Sequence, residues 1–167
     1  MAQQSIQHEN TLYLLHFLYF CKTFKAGIIF KMTIAELQKL RESEDHIEFK
    51  EAKRNYPFAG GKHVDPRERR RCVLGYVVAL ANEKGGCLVL GMADHIPHAV
   101  VGSDFAQGEV GQLIDEIYKR LGIRVETTEL YEDDKRVLVI TVPSRPVGRL
   151  LRFEGVPLMR TGESLRE

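Results

Sequence analysis

Three carboxylates are of a type suited to phosphate chemistry. Glu48 lies in EFK (48–50), Asp94 closes GMAD (91–94), and Glu42 or Glu44 precedes both in RESED (41–45). Converging at strand ends, such a trio could hold a magnesium or manganese ion, because hard divalent cations take carboxylate oxygens. A metal so held activates water against a phosphodiester. In the structural alternative, Glu48 pairs with a neighbouring Lys or Arg and Asp94 starts a turn. A second constellation is basic: Lys53, Arg54, Lys62, Arg67, Arg69, Arg70 and Arg71, with Tyr56 and Phe58 interleaved. Lys and Arg bind phosphates, and aromatic rings add stacking on unpaired bases. Against this, Arg69–Arg71 could be the solvated face of a helix, offset by Asp65 and Glu68. A third run, Arg160-Thr161-Gly162-Glu163-Ser164, could take an anion on backbone N–H groups. It could equally lead into a final helix capped by Ser164. Arg149, Arg152 and Arg160 form a further basic group towards the end of the chain.

The elements that must position these groups are legible from periodicity. Thr33-Ile34-Ala35-Glu36 has the form of a capping box, so a short helix is expected over 34–41. HIEFKEA (46–52) alternates, with Ile47 and Phe49 on a buried face and Glu48 and Lys50 on a polar one. Residues 53–67 carry two prolines and Gly60-Gly61, the mark of a long loop. A helix over 68–83 follows, and Asn82 can hydrogen-bond the turn at its end. Gly85-Gly86 ends it by leaving in conformations open to glycine, and also permits close approach of a backbone or a phosphate. CLVLGM (87–92), with Gly91 near its end, is apolar enough for a strand buried on both faces. A second amphipathic helix is expected over 107–121, closed by Gly122. VETTELYE and RVLVITVP read as a hairpin turning at Asp133-Asp134-Lys135. RLLRF and VPLMRT read as another. The expected fold is α+β: a mixed sheet of about five to six strands with two main helices packed on it.

At 167 residues the chain has the length of one domain. A net charge of +1 excludes a global basic field, so any basic surface must be local. Cys21, Cys72 and Cys87 are widely spaced, with no C-x-x-C, and the histidines show no zinc spacing. The expectation is reduced thiols, a cytoplasmic protein, and no cofactor apart from the magnesium or manganese of the cleavage alternative. No P-loop occurs, so this segment is not expected to hydrolyse ATP. Residues 1–31 differ from the rest. TLYLLHFLYF (11–20) is too short to span a membrane, and MAQQSIQHEN carries no basic start for a signal peptide. They are read as a non-native or disordered extension in preference to a membrane anchor, with Met32 opening the domain and no membrane partner.

Five pieces in order carry a resemblance: EFK (48–50), ALANEKGGCLVLGMAD (79–94), VVG (100–102), a strand ending VP (142–143), and PLMRTGES (157–164). Together, across residues 33–164, they resemble the Schlafen AlbA-like domain, the divergent AAA-associated domain of bacterial helicase-like regulators. Three positions depart from its pattern: Leu80 stands for Phe, Met92-Ala93 for Val-Asp, and the acidic run before EFK is one residue out of step. The resemblance implies an AlbA-like fold and a nucleic-acid-binding module of a bacterial transcriptional regulator or helicase-like protein, with DNA or RNA as partner. It implies that residues 32–167 precede a further winged-helix or ATPase-like, ATP-binding region. Asn82, Gly85, Gly86, Gly91, Arg160 and Gly162 are then motif positions. Some animal members are ribonucleases with an acidic triad, which falls on Glu48, Asp94 and Glu42 or Glu44. A protein-interaction or homo-oligomerisation domain is the remaining alternative.

Overall fold

A computed structural model describes residues 32–42, 46–61, 65–161 and 164–167. The expected extension (1–31), Glu44, Lys62 and Gly162 lie outside the described residues. The chain enters through α1 (Ile34–Leu37). Thr33 Oγ1 accepts from Glu36 N at 3.3 Å and Glu36 Oε2 accepts from Thr33 N at 2.7 Å, the reciprocal bonds of a capping box. The helix lasts one turn rather than running to 41, and it buries Ile34 and Leu37.

β1 (Ile47–Lys50) runs parallel to β2 (Gly86–Leu90), with Glu48 opposite Leu88. A parallel pair needs a crossover. Here it contains two helices, α2 (Pro66–Arg70) and α3 (Val73–Asn82), where periodicity predicts one. Asp65 caps α2 and Pro66 fixes its first turn. The chain then breaks at Arg71 and Cys72 because α3 starts against the last carbonyl of α2. A Cβ at Gly75 would lie 1.9 Å from Arg70 O, so glycine is required there. α4 (Val110–Leu121) ends on Gly122 at φ 69°. β3 (Glu126–Glu132) and β4 (Lys135–Val142) form the expected hairpin, turning on two positive-φ residues, Asp133 and Asp134. The sheet order is β1-β2-β4-β3, mixed as expected.

Leu88, Leu90, Leu138 and Ile140 bury one face of the sheet in a core with α3 and with Leu113, Ile117 and Leu121 of α4. On the other face of β1, the Phe49 ring stacks on His98 at 3.9 Å between centroids. Each His98 ring nitrogen faces a carbonyl, Ala93 O at 2.9 Å and Leu40 O at 3.1 Å.

The end of the chain departs from expectation. RLLRF and VPLMRT share only the Phe153–Val156 bridge. The hairpin that forms is β5 (Met159–Thr161) with β6 (Ser164–Arg166), a separate two-stranded ribbon. Among the described residues the six strands therefore divide four and two, and Ser164 lies in a strand, not at a helix cap. The physical reason is Asn82. Its side-chain amide donates to Leu151 O and Leu158 O, both at 3.0 Å, and its oxygen accepts from Leu151 N at 3.0 Å. The backbone groups that would have paired with each other are taken by the end of α3.

Candidate nucleic-acid interface

β1 is buried on both faces, contrary to the expected half-exposed strand. Glu48 is 0% exposed, on the helix-covered face of the sheet. Burial of a carboxylate demands partners, and Glu48 has two. Lys50 Nζ lies 2.6 Å from its Oε1, an ion contact off the hydrogen-bonding direction, and Arg160 Nη1 lies 3.1 Å from Oε2. Arg160 also pairs with Glu83 at 3.1 Å and donates to Ile47 O. Glu42 Oε1 accepts from Phe49 N at 2.6 Å, closing a backbone donor of β1, and lies 4.0 Å from Lys50. Burial opposes the Lys50 charge, but Glu48, with Tyr76 and Glu42 adding to it, outweighs burial and raises the Lys50 pKa. Its ammonium sits 5.0 Å from the Tyr76 ring centroid.

Asp94 is placed differently. It follows β2 and points outward, its side chain 63% exposed, with His95 Nδ1 at 3.3 Å. The His95 hydrogen bond, assisted by the Lys50 charge and opposed by slight burial, lowers its pKa. Among the described residues, no group of three His, Cys, Asp or Glu side chains is arranged to hold a metal ion. Nor do these carboxylates fit one: both oxygens of Glu48 face cations, and Asp94 faces solvent.

The basic stretch is held by backbone. Val73 N donates to Pro57 O at 3.0 Å and Leu74 N to Phe58 O at 3.1 Å, so the loop satisfies first-turn donors of α3 that Cys72 leaves uncapped. On this pinned loop Lys53 and Arg54 are exposed, and Lys53 meets Glu51 at 3.0 Å. Arg67 is exposed, and Arg71 is exposed with Glu68 at 3.0 Å. Arg69 makes a two-toothed contact with Glu154 at 3.0 and 3.1 Å. Arg70 is 9% exposed, between Glu154 and Glu167, and belongs to the scaffold. Tyr56 and Phe58 lie half-buried, and Tyr56 meets Phe105 edge-on at 6.2 Å. Burial pushes the Tyr56 hydroxyl pKa far up.

Residues 43–167 match the family described as Schlafen, AlbA_2. The chain belongs to that family. Such membership makes this a nucleic-acid-related domain. The Schlafen AlbA_2 fold recurs in the DIP2311 protein from Corynebacterium diphtheriae, at TM-score 0.52 and 23% identity over 72% of this chain. The chain spans 21% of that protein's length. A second similar structure, at TM-score 0.47 and 22% identity, is the N-terminal domain of a protein described as a RecG-related ATP-dependent DNA helicase from Nitrosomonas europaea. It is matched over 75% of this chain and 84% of its own. No curated protein matches the chain.

In this Schlafen AlbA_2 domain the motif positions sit at close approaches. A Cβ at Gly86 would lie 2.0 Å from His46 O, where β2 comes against the start of β1. Gly85 packs on Val142 O and Gly91 on Arg136 O. Two features escape the motif. Glu83 is the second partner of Arg160, and Arg120 at the end of α4 lies 5.6 Å from the Phe58 ring centroid. The basic last turn of α4, Lys119 and Arg120, was the signal that could have found Arg120. Among the described residues, no helix is long and apolar enough to cross a membrane.

Proposed function

We propose that the chain is a nucleic-acid-binding module of a larger bacterial regulator or helicase-like protein, contacting phosphates through Lys53, Arg54, Arg67 and Arg71. The observation that carries this reading is the pinning of the basic loop. Two backbone bonds hold residues 57 and 58 on α3, so the backbone that follows Lys53 and Arg54 is anchored there, and Arg67 is carried by α2. A held cation pays less ordering entropy on binding than a mobile one. Phe58, with Arg120 over its ring, continues the basic surface from the loop to α4.

The test is titration of the full chain with random duplex and single-stranded oligonucleotides over a range of salt. Phosphate contacts release counterions, so log affinity should fall by about 0.7–0.9 per contact against log salt. Removing Lys53, Arg54, Arg67 and Arg71 together should flatten that slope by about three units and weaken all sequences alike. A fourfold Ala variant that folds normally and keeps the parent's slope would refute the assignment.

A further inference from the structure

We propose that the turn Arg145–Arg149 is a minor-groove wedge for duplex DNA, an inference that rests on the nucleic-acid reading above and names what that surface takes. Between Pro143 and Phe153 the chain has three arginines, Arg145, Arg149 and Arg152, and no acidic residue. Val147, at the tip of the turn, is fully exposed, and Leu150 is 43% exposed. Arg149 N donates to Pro146 O at 3.1 Å, closing the turn around Val147 and Gly148.

Both ends of this segment are fixed. Arg145 N donates to Ala81 O at 2.9 Å, and Leu151 N donates to Asn82 Oδ1 at 3.0 Å. The guanidinium groups donate to backbone carbonyls: Arg145 to Arg149 O at 3.3 Å, Arg149 to Leu121 O at 3.5 Å, Arg152 to Gly155 O at 3.0 Å. Carbonyls orient these side chains without neutralising them. A single exposed valine is ordinary on a protein surface. A valine at the tip of a turn anchored on two helices, between two arginines whose partners are carbonyls, is a defined shape.

That shape selects its partner. An apolar tip gains nothing against a phosphate, so a polyanion that meets both arginines must offer an apolar surface between its charges. Duplex DNA does so in the minor groove, about 6 Å wide, where arginines follow the negative potential and an apolar side chain enters a base step. An anionic lipid surface also attracts arginines, but lasting insertion needs a broad apolar face. One valine and a half-exposed leucine do not supply it. The two basic surfaces join through α4: Arg120 covers Phe58 of the loop, and the next residue, Leu121, accepts from Arg149.

The experiment uses the full chain and three probes: an AT-rich 20-base-pair duplex carrying 2-aminopurine, its single strand, and phosphatidylserine vesicles. The parent should bind the duplex best and raise 2-aminopurine fluorescence as the base step opens. Val147→Ser should abolish the rise and weaken duplex binding about tenfold, the worth of one buried branched side chain. Its unfolding midpoint should be unchanged, because Val147 touches no core. Lys53→Ala with Arg54→Ala should weaken binding but keep the full fluorescence rise at saturation. Salt-dependent binding with no rise, and no effect of Val147→Ser, overturns the wedge and leaves the phosphate-binding reading standing. No binding to either nucleic acid overturns both. Preference for the vesicles, lost in Val147→Ser, overturns the wedge in favour of a membrane contact.

Discussion

Glu48→Gln separates a structural carboxylate from a catalytic one by the sign of its effect on stability. The substitution keeps the shape and removes one charge from between Lys50 and Arg160. Breaking a buried ion pair by removing one partner costs about 3–5 kcal/mol, because the other charge stays buried. Two features reduce that here. Arg160 keeps Glu83 at 3.1 Å, and Lys50 keeps Glu42 at 4.0 Å, while the amide oxygen still accepts one bond. A loss of about 2–3 kcal/mol remains, or roughly 6–12 °C in Tm for a domain of this size. Urea and thermal melts followed by circular dichroism read it directly. A carboxylate kept for chemistry behaves in the opposite way, since removing a strained catalytic charge is neutral or stabilising. Asp94→Asn, at an exposed site, should change stability by less than about 0.5 kcal/mol. A Glu48→Gln protein melting at or above the parent would refute the structural role of Glu48 and reopen the nuclease alternative.

Asn82→Ala removes three hydrogen bonds and leaves the carbonyls of Leu151 and Leu158 and the Leu151 amide without that partner. The expected cost is about 2–3 kcal/mol. Amide exchange should speed up at Leu151 before it does in β2 and β4; uniform exchange would show that the clamp is not local. Glu154→Gln should act only away from acid. The Arg69 hydrogen bond, against slight burial and with the charges of Arg69 and Arg70, lowers the Glu154 pKa in the folded state. Its contribution is therefore present above the unfolded value and is lost as pH falls through the folded one. Parent and variant midpoints should differ at pH 7 and converge towards pH 2, and an equal gap at both would contradict the pairing. A chain starting at Met32 should melt within a few degrees of the full chain, since α1 carries its own cap. A large fall would place residues 1–31 in the core.

What was legible in the sequence is what is local. The capping box at Thr33 and Glu36, the Asp133-Asp134 turn and the Gly122 stop each act within about four residues, and each forms as expected. The split of the crossover helix was not legible. Periodicity runs through Arg71 undisturbed, and the break depends on how Gly75 meets Arg70 O. The last hairpin departs from the local pattern because Asn82 acts on residues 69 and 76 positions away. Of the candidate site, the types were legible but the pairings were not. Glu48 and Arg160 are separated by 112 positions, and no local pattern says that a glutamate on a strand's polar face will be roofed by a helix and an arginine.

The near-neutral charge conceals a division of labour among the acidic residues. Glu42, Glu48 and Glu83 go inward, to the ion pairs around Lys50 and Arg160. Glu126, Glu129 and Glu132 line β3, the edge strand farthest from β1, and Asp133 and Asp134 make its turn. Like charges along an edge oppose pairing with another strand. The exposed cations of the loop follow the opposite edge, immediately after β1. The loop edge also carries Glu51 and Glu68, paired with Lys53 and Arg71, so it is mixed in sign where the β3 edge is acidic, and a net charge of +1 does not measure that local difference. Reversing the charge of Glu129 would also disturb Arg136, its buried partner. Replacing Glu126 and Glu132 by Lys changes only the exposed edge. If orientation comes from this segregation, that variant should bind random oligonucleotides faster at low salt, with an advantage that vanishes as the Debye length shrinks to about 3 Å near 1 M salt. Retention of the Val147-dependent fluorescence rise would show that the new cations added attraction without moving the contact.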